Sequence, residues 1–356
     1  MILSRAFLLL TMLFCVVLNS QSQDNCQTMI RDAELVFESG NYDDCINILE
    51  NALKDCNYSS QEKEEALIVL IRAYLEEDNI DEVNKGIVKL LKNNPNFKLR
   101  EGLVQQDFVA YFNKFRVRPL LSIGVRFGIG IPQYKVTKKY SILDGVDYNA
   151  PYNWRVEGQF EISVEFSFIN NLSLSSEAGY ISYKYKRSIT GVDSWNLDYT
   201  EKISYFEFPL YLKKYFEIKK LNYKPFLLTG LYFTRLQSAF ADVELTYHSY
   251  DYLTNETDRN DISSTKIDRV DERTLNNYGV LFGLGLSHKI KNFIFSTDVR
   301  YSIGINNIMS VKNKYHNSEL IYNYYYVDND VKINKLDLSF SVHYVFNYVV
   351  KKLKDK

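Results

Sequence analysis

The chain has 356 residues, of which 46% are hydrophobic and 15% aromatic, and its formal net charge is −1. The aromatic content excludes an intrinsically disordered chain, and the charge balance excludes a strongly basic nucleic-acid binder. Four cysteines in so long a chain exclude a disulfide-dense mini-scaffold. A mean hydropathy of −0.26 and the lack of an apolar run of about 18 residues argue against a helical membrane protein. The unusual feature is the excess of 29 Tyr and 22 Phe over 2 Trp.

The chain begins with the features of a secretory signal peptide. Arg5 precedes the apolar run 6–18, which has the length of a signal-peptide core and is too short to span a bilayer. Small residues follow it, so we expect residues 1–22 to be removed. The alternative is a lipoprotein that carries its lipid on Cys15 or Cys26. Neither cysteine follows the small apolar residues that such a modification needs, which favours simple secretion.

Residues 23–95 have the sequence pattern of a helical domain. Apolar residues recur at spacings of three and four, and turn signals at 40–41 and 78–79 interrupt them. The pattern predicts four helices, at 25–38, 41–55, 61–77 and 80–93.

The two predicted helix pairs are similar to each other. The first pair resembles a tetratricopeptide repeat around Gly40-Asn41-Tyr42-Asp43-Asp44-Cys45, where Cys45 has the small buried position of the second helix. The second pair resembles a degenerate copy in which Val83 has that position. Two repeats are fewer than the roughly three that a free-standing stack needs. We therefore expect this domain to pack against something else.

Three cysteines remain in the mature chain, which folds in a compartment that permits disulfides. Cys26 opens the first predicted helix and Cys56 closes the second, and antiparallel packing brings these two helix ends together. The sequence therefore predicts a Cys26–Cys56 disulfide worth roughly 3 kcal/mol. Cys45 is expected to be a small buried core residue, because the nearby sequence lacks partners for a redox or metal role.

Residues 96–117 are expected to be a linker, after which the pattern changes to period two. Between 118 and 348, large apolar residues alternate with Gly, Ser and charged residues in long runs. Soluble strands usually have about 5–6 residues, whereas a tilted strand that crosses a bilayer needs about 9–11. The alternation predicts eight strands, at 119–134, 155–169, 172–189, 201–217, 223–240, 276–290, 293–308 and 332–348.

The connections between these strands alternate in length. Tight turns at 170–171, 219–222 and 291–292 contrast with long polar segments at 241–275 and 309–331. Short turns on one side and long loops on the other are typical of an outer-membrane barrel whose turns face the periplasm.

The alternative fold is a soluble β-sandwich or lipocalin-like barrel. One strand face is almost entirely large and apolar, which suits lipid, and the other suits the narrow interior of eight strands. The predicted fold class is therefore an α+β multidomain protein located in the outer membrane. It has a small periplasmic helical-repeat domain (23–95), an eight-stranded antiparallel transmembrane β-barrel (118–348) and a basic C-terminal tail (349–356).

Two strand motifs carry a resemblance to a known family. The first is YFEFPLYLK at 205–213, and the second is KPFLLTG at 224–230. Both resemble the strands of the Bacteroidota PorT-like outer-membrane β-barrel proteins, and the resemblance covers most of 118–348. One group in that family is similar to factors of the type IX secretion machinery, so the resemblance implies a role in secretion. The matching residues are Phe206, Glu207, Pro209, Leu210, Pro225 and Gly230.

The inward strand face carries the candidate functional residues, which are charged. Charges inside a narrow barrel must pair, because an unpaired buried charge costs several kcal/mol. We expect a salt-bridged plug, and the alternative is a path for protons or ions. The residues are Arg126, Glu161, Glu165, Glu177, Glu207, Lys213, Asp298, Arg300 and Asp337.

The remaining features indicate neither an enzyme nor a cofactor. The four histidines, His248, His288, His316 and His343, have no catalytic spacing. The acidic segment 251–272 lacks the glycine of a calcium-binding EF-hand loop, so we expect it to be solvated. The tyrosine-rich segment 321–327 is either an exposed recognition patch or part of an aromatic girdle.

The sequence thus predicts a non-enzymatic protein of the cell envelope. Its barrel would sit in outer-membrane lipid, and residues 24–95 would bind a periplasmic or outer-membrane protein. Two alternatives remain: a surface-binding barrel that acts through its long loops, and a small-solute pore.

Overall fold

The computed structural model describes residues 26, 28–99, 105–142, 150–169, 171–191, 195–218, 222–251 and 256–353. The predicted signal peptide at 1–22 lies outside these ranges. The helices are α1 (28–38), α2 (Tyr42–Asp55), α3 (Ser60–Glu76), α4 (Ile80–Asn93), α5 (Gln106–Phe112) and α6 (Ser318–Tyr324). The strands are β1 (Phe115–Lys138), β2 (Asn153–Arg155), β3 (Glu157–Ile169), β4 (Leu172–Thr190), β5 (Asn196–Tyr215), β6 (Lys224–Asp251), β7 (Glu256–Asp268), β8 (Asn276–Ile290), β9 (Phe293–Gly304) and β10 (Asp330–Lys352).

The chain divides into two compact units. The first comprises Met1–Pro119 with Tyr348–Lys356, and the second comprises Leu120–Asn347. Helices α1 to α5 belong to the first unit, and β2 to β9 belong to the second. The division falls within the first and last strands, β1 and β10.

Side-chain caps begin the helices of the first unit where the sequence predicts them. The Ser59 hydroxyl accepts a hydrogen bond from the Glu62 amide at 3.3 Å, and the Glu62 carboxylate accepts one from the Ser59 amide at 2.8 Å. This capping box starts α3. Asn41 and Asn79 cap α2 and α4 in the same way with one bond each. The prediction of an N-terminal region of about four helices is confirmed.

The segment expected to be a linker, 96–117, contains structure that completes the core of this unit. Phe108 of α5 is fully buried, and Phe97 and Phe112 pack edge-to-face 5.8 Å apart. Phe115 and Val350, from the beginning of β1 and the end of β10, join the same apolar cluster. A helix of seven residues has too few turns to show periodicity, so the sequence did not indicate α5. The predicted tail likewise differs, because β10 extends to Lys352.

The cysteines of this unit have two different states. The sulfur atoms of Cys26 and Cys56 form a disulfide, with Cα atoms 5.8 Å apart. Cys45 is a free thiol that no solvent reaches. Burial raises the pKa of Cys45, against a smaller opposing effect of Arg72, so this thiol remains protonated and unreactive.

The second unit is a continuous β-sheet. Eight of the described strands follow one another in the order β4-β3-β1-β10-β9-β8-β6-β5, and β5 also pairs with β4. Most connections join neighbours, as in β3–β4, β5–β6 and β8–β9, and their registers are antiparallel. The short strand β2 pairs with β4, and β7 pairs with β6. These eight strands correspond one to one with the eight that the alternation predicts.

The two long connections are more ordered than the sequence suggested. Strand β6 continues to Asp251 and pairs with β7, so most of 241–275 is a β-hairpin rather than a loop. Segment 309–331 contains α6. Inward Ala241, Val243 and Leu245 are buried and alternate with outward charged residues. This alternation is typical of a strand whose outer face is exposed to water, so the pattern of lipid-facing strands does not include it.

We expect loss of the disulfide to destabilise the first unit. The Cys26→Ser/Cys56→Ser double variant of the full chain should lower its free energy of unfolding by about 3 kcal/mol, because the unfolded chain loses a closed loop of 30 residues. Hydrogen exchange of α3 and α4 as a function of urea would measure the loss. Cys45→Ala is the control, since it leaves the disulfide intact. Equal exchange in the double variant and the unsubstituted protein would contradict the expectation.

Candidate functional site

Large apolar side chains cover the outer surface of the second unit along much of each strand. We call this surface the apolar belt. Its members are solvent-exposed, with Leu231 62% and Leu284 60% exposed. Representative members of the belt are Ile123, Phe127, Phe160, Ile162, Val164, Leu174, Phe206, Phe208, Leu210, Leu212, Leu227, Leu231, Phe233, Phe282, Leu284, Leu286, Val299, Leu336, Leu338 and Phe340.

The polarity of the two strand faces reverses along each of several strands. In β4, Leu174 and Tyr180 point outward beside buried Ser175 and Glu177. Beyond Tyr180 the outward positions are Ser, Lys and Thr, and the inward ones are Ile181, Tyr183, Tyr185 and Ile189 together with the buried Arg187. The stretch 172–180 that carries the belt has nine residues, the length that a tilted strand needs to cross a bilayer.

The two ends of the sheet are therefore distinct. The end with the turns at 171 and 291–292 is here called the turn end, and the opposite one, with the β6–β7 hairpin and α6, is called the loop end. At the loop end the interior is filled by an apolar cluster that includes Ile181, Tyr183 and Ile203 from the strands and Leu320 and Tyr324 from α6.

A central charge cluster fills the interior behind the apolar belt. It consists of Arg126, Glu161, Glu177, Asp298 and Arg300, each at most 3% exposed. Arg300 donates two hydrogen bonds to Glu177, at 2.6 and 2.9 Å, and one to Asp298 at 2.6 Å. Arg126 pairs with Glu161 and lies 3.5 Å from Asp298. The two parallel hydrogen bonds between Arg300 and Glu177 form a bidentate ion pair. Such pairs stabilise charges that are buried away from water.

Two further lysines, Lys213 and Lys335, form ion pairs beside the central charge cluster. Lys213 Nζ donates to Glu165 at 2.8 Å, and Tyr215 donates to the same carboxylate at 2.6 Å. Lys335 Nζ lies 2.9 Å from Glu207 and 3.2 Å from Asp337. All nine predicted charged residues are thus buried in the interior and placed in ion pairs.

Lys335 is the interior base that the sequence reading left out. It is 3% exposed and occupies the same face of β10 as Asp337, two residues away. It lies within the predicted strand 332–348, where it is two residues from Asp337, so the same period-two alternation places it on the inward face. With Lys335 included, the interior contains four bases for six acids, which reduces the imbalance that the sequence suggested.

A second charged group, the loop-end cluster, consists of Glu201, Arg269, Glu272, Arg273 and Asp328. Arg273 binds Asp328 at 2.9 Å and also pairs with Glu201, while Arg269 binds Asp328 at 2.7 Å and pairs with Glu272. All five side chains are at most 4% exposed. The sequence places Arg273 and Asp328 in long polar connections and predicts that segment 251–272 is solvated, which is wrong for Arg269 and Glu272.

Tyrosine rings pack around the loop-end cluster. Tyr199 and Tyr326 stack with centroids 4.2 Å apart, and Tyr326 donates to Asp328 at 2.8 Å. The tyrosines of segment 321–327 therefore have different environments: Tyr324 and Tyr326 are buried, whereas Tyr322 is 75% exposed. It is neither one exposed patch nor a simple girdle.

The histidines lie in separate places. His248 is on β6 rather than in a loop, and His316 is exposed before α6. His288 lies near the turn end, 2.9 Å from the Asn222 carbonyl oxygen. His343 is buried in the interior, 2.8 Å from the Ser163 hydroxyl. The described ranges contain no group of three or more His, Cys, Asp or Glu residues placed to hold a metal ion.

The motif residues that carried the family resemblance occupy both faces of β5 and β6. Phe206 and Leu210 belong to the apolar belt, and Glu207 points inward to Lys335. Pro209 pairs with Tyr232 across the two strands. A side chain at Gly230 would collide with the Leu210 carbonyl oxygen, so only glycine fits this close approach.

Comparison with known proteins identifies the family. The model of the outer membrane protein beta-barrel domain family matches residues 113–310, which is more than half of the chain. The chain belongs to this family. The prediction of an outer-membrane β-barrel domain with antiparallel strands is thereby confirmed. Within the described residues, no helix is both long and apolar enough to cross a membrane.

Several solved outer-membrane proteins are similar to this family member. Neisserial surface protein A has 14% identity over 65% of this chain and 99% of its own, with a TM-score of 0.31. OprG from Pseudomonas aeruginosa has 11% identity over 65% and 97%, with a TM-score of 0.37. Ail from Yersinia pestis has 12% identity over 63% and 99%, with a TM-score of 0.26. No curated protein matches the chain.

We expect the barrel to depend on Arg300. Arg300→Met should lower the free energy of unfolding by about 3–5 kcal/mol, because it leaves Glu177 buried without its main partner. The matched control is Lys186→Met, which breaks an ion pair with Asp198 whose side chains are 44% and 42% exposed. That change should cost about 0–1 kcal/mol. Urea unfolding in detergent micelles measures both, and equal losses would contradict the expectation.

The loop-end cluster should be sensitive to acid. Burial alone would raise the pKa of Asp328, but Arg273 and Arg269 outweigh it and hold that pKa well below its ordinary value. The stabilisation is therefore complete above about pH 3.9, where the unfolded Asp ionises, and is lost as the pH falls below that value. Near-ultraviolet circular dichroism during urea unfolding at pH 7 and pH 3 should detect the change in stability. Asp328→Asn should be less stable at pH 7 and less dependent on pH; an unchanged dependence would contradict this.

Proposed function

We propose that this protein is a plugged outer-membrane barrel that anchors its helical unit in the periplasm, where that unit binds a protein of the envelope or secretion machinery. The observation that supports it best is the combination of an outward apolar belt with an inward set of paired charges. A soluble barrel would have the opposite arrangement, because water favours polar outer faces. Lipid on the outside accounts for both faces.

The proposed orientation follows from the strand directions. Leu121 near the start of β1 pairs with Phe166, close to the turn that follows β3. Short turns of outer-membrane barrels face the periplasm. The residues that precede β1 are accordingly proposed to be periplasmic, and the β6–β7 hairpin and α6 to be extracellular.

The barrel is proposed to be closed and not to conduct solutes. Eight strands leave an interior that side chains just fill. Here the central charge cluster occupies the level of the apolar belt, and the apolar cluster around Ile181 and Leu320 occupies the loop end. The small-solute pore is therefore disfavoured.

The proposed partner of the helical unit has a basic surface. Residues 24–95 contain 16 acidic and 7 basic residues, and α1 exposes Glu34 and Glu38 beside Leu35, which is 58% exposed. An apolar residue flanked by acids suits a docking site with electrostatic steering. The tetratricopeptide-like and PorT-like resemblances favour a role in assembling secretion machinery of the type IX kind.

A second candidate function is surface binding at the loop end. It is favoured by three exposed apolar side chains there, Val311 at 77%, Tyr322 at 75% and Tyr315 at 62%. Exposed tyrosines are common where one protein recognises another. The folded hairpin and helix beneath them would present these residues in a fixed arrangement.

Paired variants of the full chain should separate the two candidates. Leu35→Arg/Glu38→Lys should abolish recovery of a cross-linked periplasmic partner, because it removes the apolar contact and reverses the charge. The matched change at the loop end, Val311→Ser/Tyr322→Ser, should leave that recovery intact. The reverse result would favour surface binding.

The barrel itself should show heat-modifiable migration on a gel and fractionate with outer membranes. Boiling unfolds the sheet and changes its mobility, so the folded and unfolded forms separate. In a planar bilayer the protein should carry no steady current. Stable single-channel conductance would contradict the plugged interior, and recovery of the protein only in the soluble fraction would contradict the whole proposal.

A further inference from the structure

The apolar belt has a groove near the turn end, with a volume of about 570 Å³. One wall of the groove is a single row of side chains across four strands. The registers place Leu227 opposite Leu284, Leu284 opposite Val299 and Val299 opposite Leu338. All four point outward from the sheet, so the row forms a continuous apolar ridge.

The groove exists because the next row contains small residues. That row pairs Pro225 with Leu286, Leu286 with Thr297 and Thr297 with Phe340. Thr297 is much smaller than its two neighbours, and Pro225 is a compact ring without a flexible side chain. The groove between the two rows is elongated and almost entirely apolar, so it suits a hydrocarbon chain.

A lysine stands at one end of this groove. Lys214 lies directly opposite Leu227 in the β5–β6 register and points outward, as Leu212 and Leu210 do on the same strand. Its side chain is exposed, while its backbone pairs with Leu172 and Leu227 of the two neighbouring strands. A lysine on a lipid-facing surface extends its stem toward the headgroups and presents its charge there.

We infer that the groove and Lys214 together bind one phospholipid of the leaflet at the turn end. The acyl chain lies between the two side-chain rows, and the Lys214 ammonium binds the phosphate. Charge complementarity selects this occupant, because a single cation beside an apolar groove matches an anionic headgroup on a hydrocarbon chain. The inference rests on the proposed function, since it requires the apolar belt to lie in a bilayer.

Native mass spectrometry of the full-length protein with added phosphatidylglycerol tests the site. The unsubstituted protein should retain one lipid after the detergent is removed. Lys214→Glu should reduce retention roughly fivefold, and Thr297→Leu should reduce it by filling the groove. The matched control is Arg235→Glu, since Arg235 is an exposed cation on β6 near the other edge of the belt. It should retain the lipid as well as the unsubstituted protein does.

A second probe tests the role of the phosphate. Diacylglycerol with the same chains should be retained less well than phosphatidylglycerol by the unsubstituted protein and equally well by Lys214→Glu. Equal retention of phosphatidylglycerol by Lys214→Glu and Arg235→Glu would overturn the site, and so would equal retention of both lipids by the unsubstituted protein. Each variant is first checked for heat-modifiable migration and membrane fractionation. A folded, membrane-bound protein without a lipid preference overturns this inference alone, whereas failure to fractionate with membranes overturns the proposed function.

Discussion

The rest of this structure depends on ion pairs between the charged side chains that face the narrow interior of the sheet. Arg300 and Arg126 have almost no contact with solvent, so each must find its counter-charge among a few inward positions. The registers supply them: Arg126 stands opposite Glu161, Arg300 stands opposite Asp337, and Arg300 reaches Glu177 across the interior. A register shift of one residue would turn these charges outward into the apolar belt. The charges therefore specify the strand pairing as well as filling the interior.

The reversal of polarity along the strands gives one sheet two environments. Near the turn end the sheet has an apolar exterior and a charged interior, and near the loop end it has an apolar interior and a polar exterior. The loop-end cluster and Arg187 are exceptions at the loop end, where these charged side chains are buried among tyrosines. At the loop end, the same strands therefore have the arrangement of a water-soluble protein, with a mainly apolar core and a polar surface. This explains why the mean hydropathy is modest although aromatic residues are so abundant.

Much of the barrel could be predicted from the sequence because period two assigns each residue to a face without any three-dimensional information. Glu161 and Glu165 follow from their alternation with Phe160, Ile162 and Val164 alone. Asp328 and Arg269 could not be found in this way, because they lie outside regular strands and only tertiary packing brings them together. The β6–β7 hairpin was missed for a related reason. Its outward residues are charged, as in a soluble strand, and a lipid-facing pattern does not include it.

The helical unit has a core that its own N-terminal sequence cannot complete. Phe115 and Val350 join the cluster around Phe108, and the Leu353 amide donates a hydrogen bond to the Lys114 carbonyl at 2.7 Å. Residue 350 is synthesised after the whole of the second unit, Leu120–Asn347. The apolar cluster around Phe108, made of residues near the start of the chain, therefore gains its last member only when the end of β10 has been synthesised. Truncation of the chain before residue 350 would therefore remove part of the core of the helical unit as well as the end of the sheet.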